Sequence, residues 1–129
     1  MGCWMRSKDR LVVVPEPTDD LLIEFQIFSK TTNPYAYMDE TFPNTWFFDK
    51  DNHLACAAGK FAEPSIWLKC MTNSFFNPRG YRLIGDVCFI GEEDDNLFDN
   101  SICEEYHAWK KRVAALIKDK YPNSWHRYC

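Results

Sequence analysis

The sequence predicts an α+β domain, an antiparallel sheet of five or six strands packed on one face by a C-terminal amphipathic helix. Three observations predict it. Residues 102–121 repeat apolar side chains at helical spacing between a start signal and a stop signal. Upstream of them lie several short apolar segments separated by Pro, Gly, Asn and Asp, as strands and turns are. The chain has 129 residues, 46% of them hydrophobic, which suits one core and one domain spanning 1–129. Strands followed by a helix, each with one apolar face, pack as two layers.

Residues 10–15 (Arg-Leu-Val-Val-Val-Pro) read as a first strand: β-branched residues favour it, and Pro15 ends it or holds it at an edge. Residues 16–20 make a polar turn. Residues 21–28 read as a second strand, with Leu21, Ile23, Phe25 and Ile27 on one face by the two-residue period. Residues 29–45 are irregular around Asn33-Pro34 and Phe42-Pro43, with a helical turn placed near 35–40. Trp46-Phe47-Phe48 and residues 53–58 form a hairpin around Asp49-Lys50-Asp51-Asn52, since Asp and Asn bond their own backbone. Residues 65–71 alternate as a strand, with Ile66, Leu68 and Cys70 on one side. Asn77-Pro78-Arg79-Gly80 is a turn with Pro and Gly at favoured places. Residues 81–90 are apolar on both sides around Asp86 and read as the central strand.

The helix is framed best. Ser101 to Glu104 fits a capping box, and Lys118 and Lys120 suit the negative end of the dipole. Ile102, Tyr106, Trp109, Val113, Leu116 and Ile117 form its apolar stripe. Pro122 stops it, and Trp125 and Tyr128 are expected to fold back onto the sheet.

Composition excludes several function classes. No apolar run approaches the roughly 18 residues of a membrane span. The net charge is −4, against general binding to a phosphate backbone. Arg79 and Arg82 flank Tyr81 near Phe75 and Phe76, a small basic-aromatic cluster, and two arginines beside a turn are far more often ordinary surface. The five glycines form no phosphate-binding loop, and no cofactor is expected. Six cysteines with no apolar leader segment point to reduced thiols and a cytoplasmic protein. Gly2 and Cys3 resemble an acylation site, but Arg6 stands where Ser or Thr is wanted.

Catalytic and metal signatures are weak. His53/Cys56, Cys103/His107 and His126/Cys129 have ligand-like spacing, but the first pair would face opposite sides of a strand and no C-x-x-C is present. No metal site is expected. Cys56, Cys70 and Cys88 have no catalytic signature around them, and the enzyme reading leans to no.

Charge is segregated. Residues 100–129 carry six Lys and Arg against three Asp and Glu, a net +3, which leaves −7 for residues 1–99. Asp86, Glu92, Glu93, Asp94, Asp95 and Asp99 fall in fourteen residues without Lys or Arg. Contiguous carboxylates point apart and lack the spacing of a calcium loop, so a cationic protein surface suits them better than an ion. The 33–48 segment adds Tyr35, Tyr37, Phe42 and Trp46 as aromatic anchors.

The expected function is a small, acidic, non-catalytic protein-binding module. It would occlude a basic site on a partner through Glu92–Asp95, Asp99 and those aromatics, a profile shared with inhibitors, immunity proteins and phage-encoded counter-defence proteins. A homodimer stays open. The alternative is a small enzyme or ligand-binding protein using the open sheet face around Glu24, Asp86 and Tyr81.

Overall fold

Thr18 opens the first helix. Its hydroxyl accepts from the Leu21 N–H at 3.2 Å, Asp19 and Asp20 fill the positive first turn, and Lys30 sits in the last. In the computed structural model, which describes residues 5–7, 10–34, 43–57, 64–86, 89–91 and 101–129, this helix is α1, Asp19–Thr31. It replaces the second strand expected over 21–28. Leu21, Leu22, Ile23 and Phe25 are buried and Glu24 is exposed, which is a helical and not an alternating pattern.

The strands are β1 (Met5–Ser7), β2 (Val12–Val14), β3 (Trp46–Phe48), β4 (Leu54–Cys56), β5 (Arg82–Ile84) and β6 (Phe89–Gly91). They form three two-stranded antiparallel pairs, β1–β6, β2–β5 and β3–β4, and not one sheet of five or six. Two of the pairs share a register. Met5 faces Gly91 and Val12 faces Ile84, so seven residues forward on one strand match seven back on the other. Leu11 and Leu54 exchange backbone hydrogen bonds of 2.9 and 2.8 Å, which join β2–β5 to the hairpin.

The β3–β4 hairpin is the buried one: all six of its residues are inside, so its alternation points into protein on both faces. Its turn forms as expected. Asp49 Oδ1 accepts from the Asp51 and His53 N–H groups at 2.8 and 2.9 Å, and Asn52 takes the left-handed conformation at φ 61°. The strand over 81–90, expected to be central, instead lies at an edge. Its segment β5 pairs with β2, and Val12, Val14 and Ile84 stand 40%, 42% and 51% exposed on one face of the ribbon.

Residues 65–71, expected as a strand, belong to helix α2, Pro64–Met71. Proline suits the first helical position, where its missing N–H costs nothing. Trp67 and Met71, four residues apart, are both buried. The helix runs on in wider turns over Thr72–Phe76 and tightens at Asn77–Arg79. The Asn77-Pro78-Arg79-Gly80 turn appears as expected, with Gly80 at φ 80° and its N–H donating to Asn77 O at 3.1 Å.

Helix α3, Ser101–Lys120, confirms the best-framed element. Ile102, Trp109, Val113 and Ile117 are buried, while Tyr106 and Leu116 are partly so. It packs on the hairpin, with the Phe47 and Tyr106 rings 5.5 Å apart and those of Phe48 and Trp109 5.7 Å apart. It also packs on α1, where Phe25 lies 6.0 Å from Trp109. The tail folds back onto the helices and not onto the sheet. Lys118 lies 5.2 Å over the Trp125 ring, and Gln26 of α1 donates to Tyr128 O at 2.9 Å. Among the described residues no helix is long and apolar enough to cross a membrane.

Candidate functional site

Three elements leave a cleft where they meet. α1 contributes Gln26, Ser29 and Lys30; the approach to β3 contributes Pro43, Asn44 and Trp46; α3 contributes Tyr106, Trp109, Lys110 and Val113; Cys129 closes one side. Its volume is about 260 Å³. The helical period builds the walls: Tyr106, Trp109, Lys110 and Val113 recur at three- and four-residue steps on α3, and Gln26, Ser29 and Lys30 do so on α1.

The floor is rigid because its polar groups bond one another. Asn44, 8% exposed, donates from Nδ2 to Ser29 Oγ at 2.9 Å and to Met71 Sδ at 3.3 Å. Its Oδ1 accepts from the Trp46 N–H at 2.9 Å. Ser29 Oγ donates onward to Phe25 O at 2.9 Å. A buried amide that satisfies three bonds fixes the chain around it, here locking α1 to the start of β3.

The rim is cationic. Among the described lining residues, Lys30 and Lys110 are the ones with charged side chains. Lys110 lies 4.6 Å over the Tyr106 ring. Burial pushes the Cys129 thiol up from 9.0, and the positive charge of Lys30 pulls it partway back. Burial also pushes the Tyr106 phenol above its ordinary 10.0, and negative charge on Cys56 adds to the push. The folded state therefore holds the phenolic proton longer than the unfolded chain does. Stability is expected to fall as pH rises beyond about 10, because there the unfolded chain releases the proton first. Urea unfolding at neutral pH and above pH 10 checks this: Tyr106→Phe should lose less stability over the interval than the wild type.

A second cavity of about 220 Å³ lies between the hairpin turn and α3, lined by Phe48, Asp49, Lys50, Glu105, Ala108, Trp109 and Arg112. Asp49, Glu105 and Arg112 of this lining are each bonded to a partner. Arg10 bonds Asp49 Oδ2 at 2.7 Å and grips both oxygens of Glu105, one of them at 3.0 Å. Arg112 donates to Asp49 O at 3.2 Å and to Asn52 Oδ1 at 2.8 Å. The Glu105 hydrogen bond, and after it the one to Asp49, pushes the Arg10 pKa further up, so its charge persists at any working pH. This network ties the first ribbon, the hairpin and α3 together and leaves its cations satisfied.

The residues singled out from sequence scatter. Glu92, Glu93, Asp94, Asp95, Asp99, Tyr35, Tyr37 and Phe42 lie outside the described residues. Trp46 is in the core at 1% exposure and gives only part of the cleft wall. Glu24 lies on α1 and not on a sheet face, with a carboxylate oxygen 3.5 Å from Arg79 Nε. Asp86 is exposed beyond β5, and Tyr81 is half-buried just before it. Arg79 is held over the Phe75 ring at 4.1 Å and donates to Phe75 O at 3.1 Å, while Phe75 and Phe76 are in the core, so the basic-aromatic cluster offers no stacking platform. Cys70 lies in an open depression with Lys69, Asn73 and Ser74, and burial pushes its thiol up, away from the nucleophilic thiolate. Among the described residues no group of three His, Cys, Asp or Glu is placed to hold a metal ion.

Lys30, Asn44 and Lys110 were missed from sequence. A lysine in the last turn of α1 and another on α3 carry no local sign that they border one cleft. Comparison with known proteins returns no match: no family model, no curated protein and no solved structure matches the chain.

Proposed function

We propose that the protein is a non-catalytic binding module that docks on a basic surface of another protein through its acidic segment 92–99 and acts by covering that surface. The observation that carries this reading is the exposed aliphatic face of the β2–β5 ribbon. On it Val12 and Ile84 face each other across the strands and, with Val14, present an exposed aliphatic face. The strand that holds Ile84 pairs in the same register as β6, and β6 ends at Gly91, where the run Glu92-Glu93-Asp94-Asp95 begins. An exposed apolar face is what holds a partner at an ordinary interface, and a run of like charge on the same chain steers the encounter. The other end of the segment is anchored at Ser101, where α3 starts.

The test uses the whole chain against a partner captured from native lysate. Reversing Glu92, Glu93, Asp94 and Asp95 to Lys should slow association at least about tenfold at low salt, and the difference should shrink as salt screens the field. Ile84→Ser should instead speed dissociation. An association rate unaltered by the charge reversal removes the acidic segment from the docking surface.

A further inference from the structure

We infer that two copies of the chain associate about a two-fold axis by pairing β5 with β5, Ile84 opposite Ile84 on the axis and Arg82 of each copy opposite Asp86 of the other. This goes beyond the docking reading, which stands or falls separately.

The backbone leaves one edge of β5 open. Leu11 and Leu54 exchange backbone bonds, so Leu11 turns its N–H and C=O toward the hairpin. In an antiparallel strand these groups alternate sides from residue to residue, which turns those of Val12 and Val14 toward β5. Val12 is paired with Ile84 and Val14 with Arg82, so Leu83, between them, turns its own N–H and C=O to the outer edge. On that edge the Tyr81 N–H is taken by Phe76 O at 3.0 Å. Beyond it, among the described residues, β5 pairs with β2 alone and the backbone groups of Leu83 enter no bond. Unpaired strand groups of this kind call for another extended strand. Gly85, next on the same edge by alternation, has no side chain to stand in its way.

The side chains select a second copy as that strand. The sequence Arg82-Leu83-Ile84-Gly85-Asp86 carries a positive charge two residues before Ile84 and a negative charge two residues after it. Turned antiparallel about Ile84, the segment sets each Arg82 against an Asp86, and opposite charges facing each other across a strand pair attract. A register centred on Arg82 or on Asp86 would instead set like charges face to face. Both residues are exposed, and neither enters an ion pair among the described residues. Ile84, 51% exposed, packs on its counterpart, and Val12 and Val14 carry the apolar face across the axis. An isologous contact of this sort closes on itself and stops at two copies.

Sedimentation velocity and light scattering of the whole chain, from micromolar to millimolar concentration, are expected to show a monomer–dimer equilibrium. Exchange of the Leu83 amide hydrogen should slow as the dimer fills. Arg82→Asp sets two acids face to face twice in each dimer and should weaken association about ten- to thirtyfold, and Asp86→Arg should do the same with two bases. Mixed in equal amounts, the two variants should associate again as a heterodimer, since each then meets the opposite charge. Both positions are exposed, so the thermal midpoint of each variant in dilute solution should stay near that of the wild type. A chain that sediments as a monomer throughout, a dimer indifferent to either reversal, or two variants that stay apart on mixing would each overturn the proposal. None of these outcomes alters the association rate that tests the acidic segment.

Discussion

Phe25→Ala is expected to cost about 3–5 kcal/mol, a large part of the roughly 5–15 kcal/mol that holds a small domain together. Phe25 has no exposed surface and stands at the junction of every layer. Its ring lies 5.0 Å from Phe48 of the hairpin, 5.6 and 6.0 Å from Phe75 and Phe76 beyond α2, and 6.0 Å from Trp109 of α3. The first, second and fourth of these pairs meet edge to face, with interplanar angles of 76°, 78° and 68°, the arrangement the ring quadrupole favours. Truncation removes the transfer energy of the ring and leaves a hole bounded by four rigid aromatics that cannot collapse into it. Urea unfolding followed by near-ultraviolet circular dichroism checks this. Phe25→Leu, which fills more of the hole, should unfold at a midpoint between the wild type and the alanine variant. A loss under about 1 kcal/mol for alanine would mean that the aromatic junction does not organise the core.

Asp49→Ala is expected to cost about 3 kcal/mol or more, for a different physical reason. The Asp49 side chain is 2% exposed, and both of its oxygens are in use. Oδ1 holds the Asp51 and His53 N–H groups that shape the turn, and Oδ2 accepts from Arg10 at 2.7 Å. Alanine strips two backbone donors of their acceptor and leaves Arg10 with Glu105 alone. Arg10 is about one-third exposed, so water recovers part of its loss, and the turn carries most of the cost. Asp49→Asn separates the two parts. Its amide oxygen can still serve the turn, while its NH₂ meets Arg10 donor to donor. Chemical unfolding of both variants is expected to rank wild type above Asn and Asn above Ala; an alanine variant as stable as the wild type would sink the account.

The elements read correctly from sequence are those with a local chemical signature. α3 carries its stripe, its acids at one end and its lysines at the other; the 49–52 turn carries Asp and Asn; Gly80 marks the left-handed place in its turn. The two strands that proved to be helices share one ambiguity. Over 21–28 the apolar residues satisfy a two-residue period through Leu21, Ile23, Phe25 and Ile27, and equally a helical face through Leu21, Leu22, Phe25 and Phe28. Over 65–71 the alternation of Ile66, Leu68 and Cys70 competes with the helical pair Trp67 and Met71. Thr18 with two acids after it, and Pro64 at a first turn, were the deciding signs, and both also read as turns. The centre of the β structure moved for a related reason. Residues 81–90 alternate apolar side chains on both sides in sequence, yet Ile84 stands open to solvent, and the burial belongs to the shorter, aromatic hairpin. The cleft was illegible because Lys30, Asn44 and Lys110 meet only when α1 and α3 pack, and no spacing along a chain encodes that.

The common pairing of Met5 with Gly91 and of Val12 with Ile84 sets a rule for how this chain can change in length. Six residues separate the two matched positions on either side. Losing or gaining one of them on one side alone is expected to put the two pairings out of step, and an equal change on the other side to restore the match.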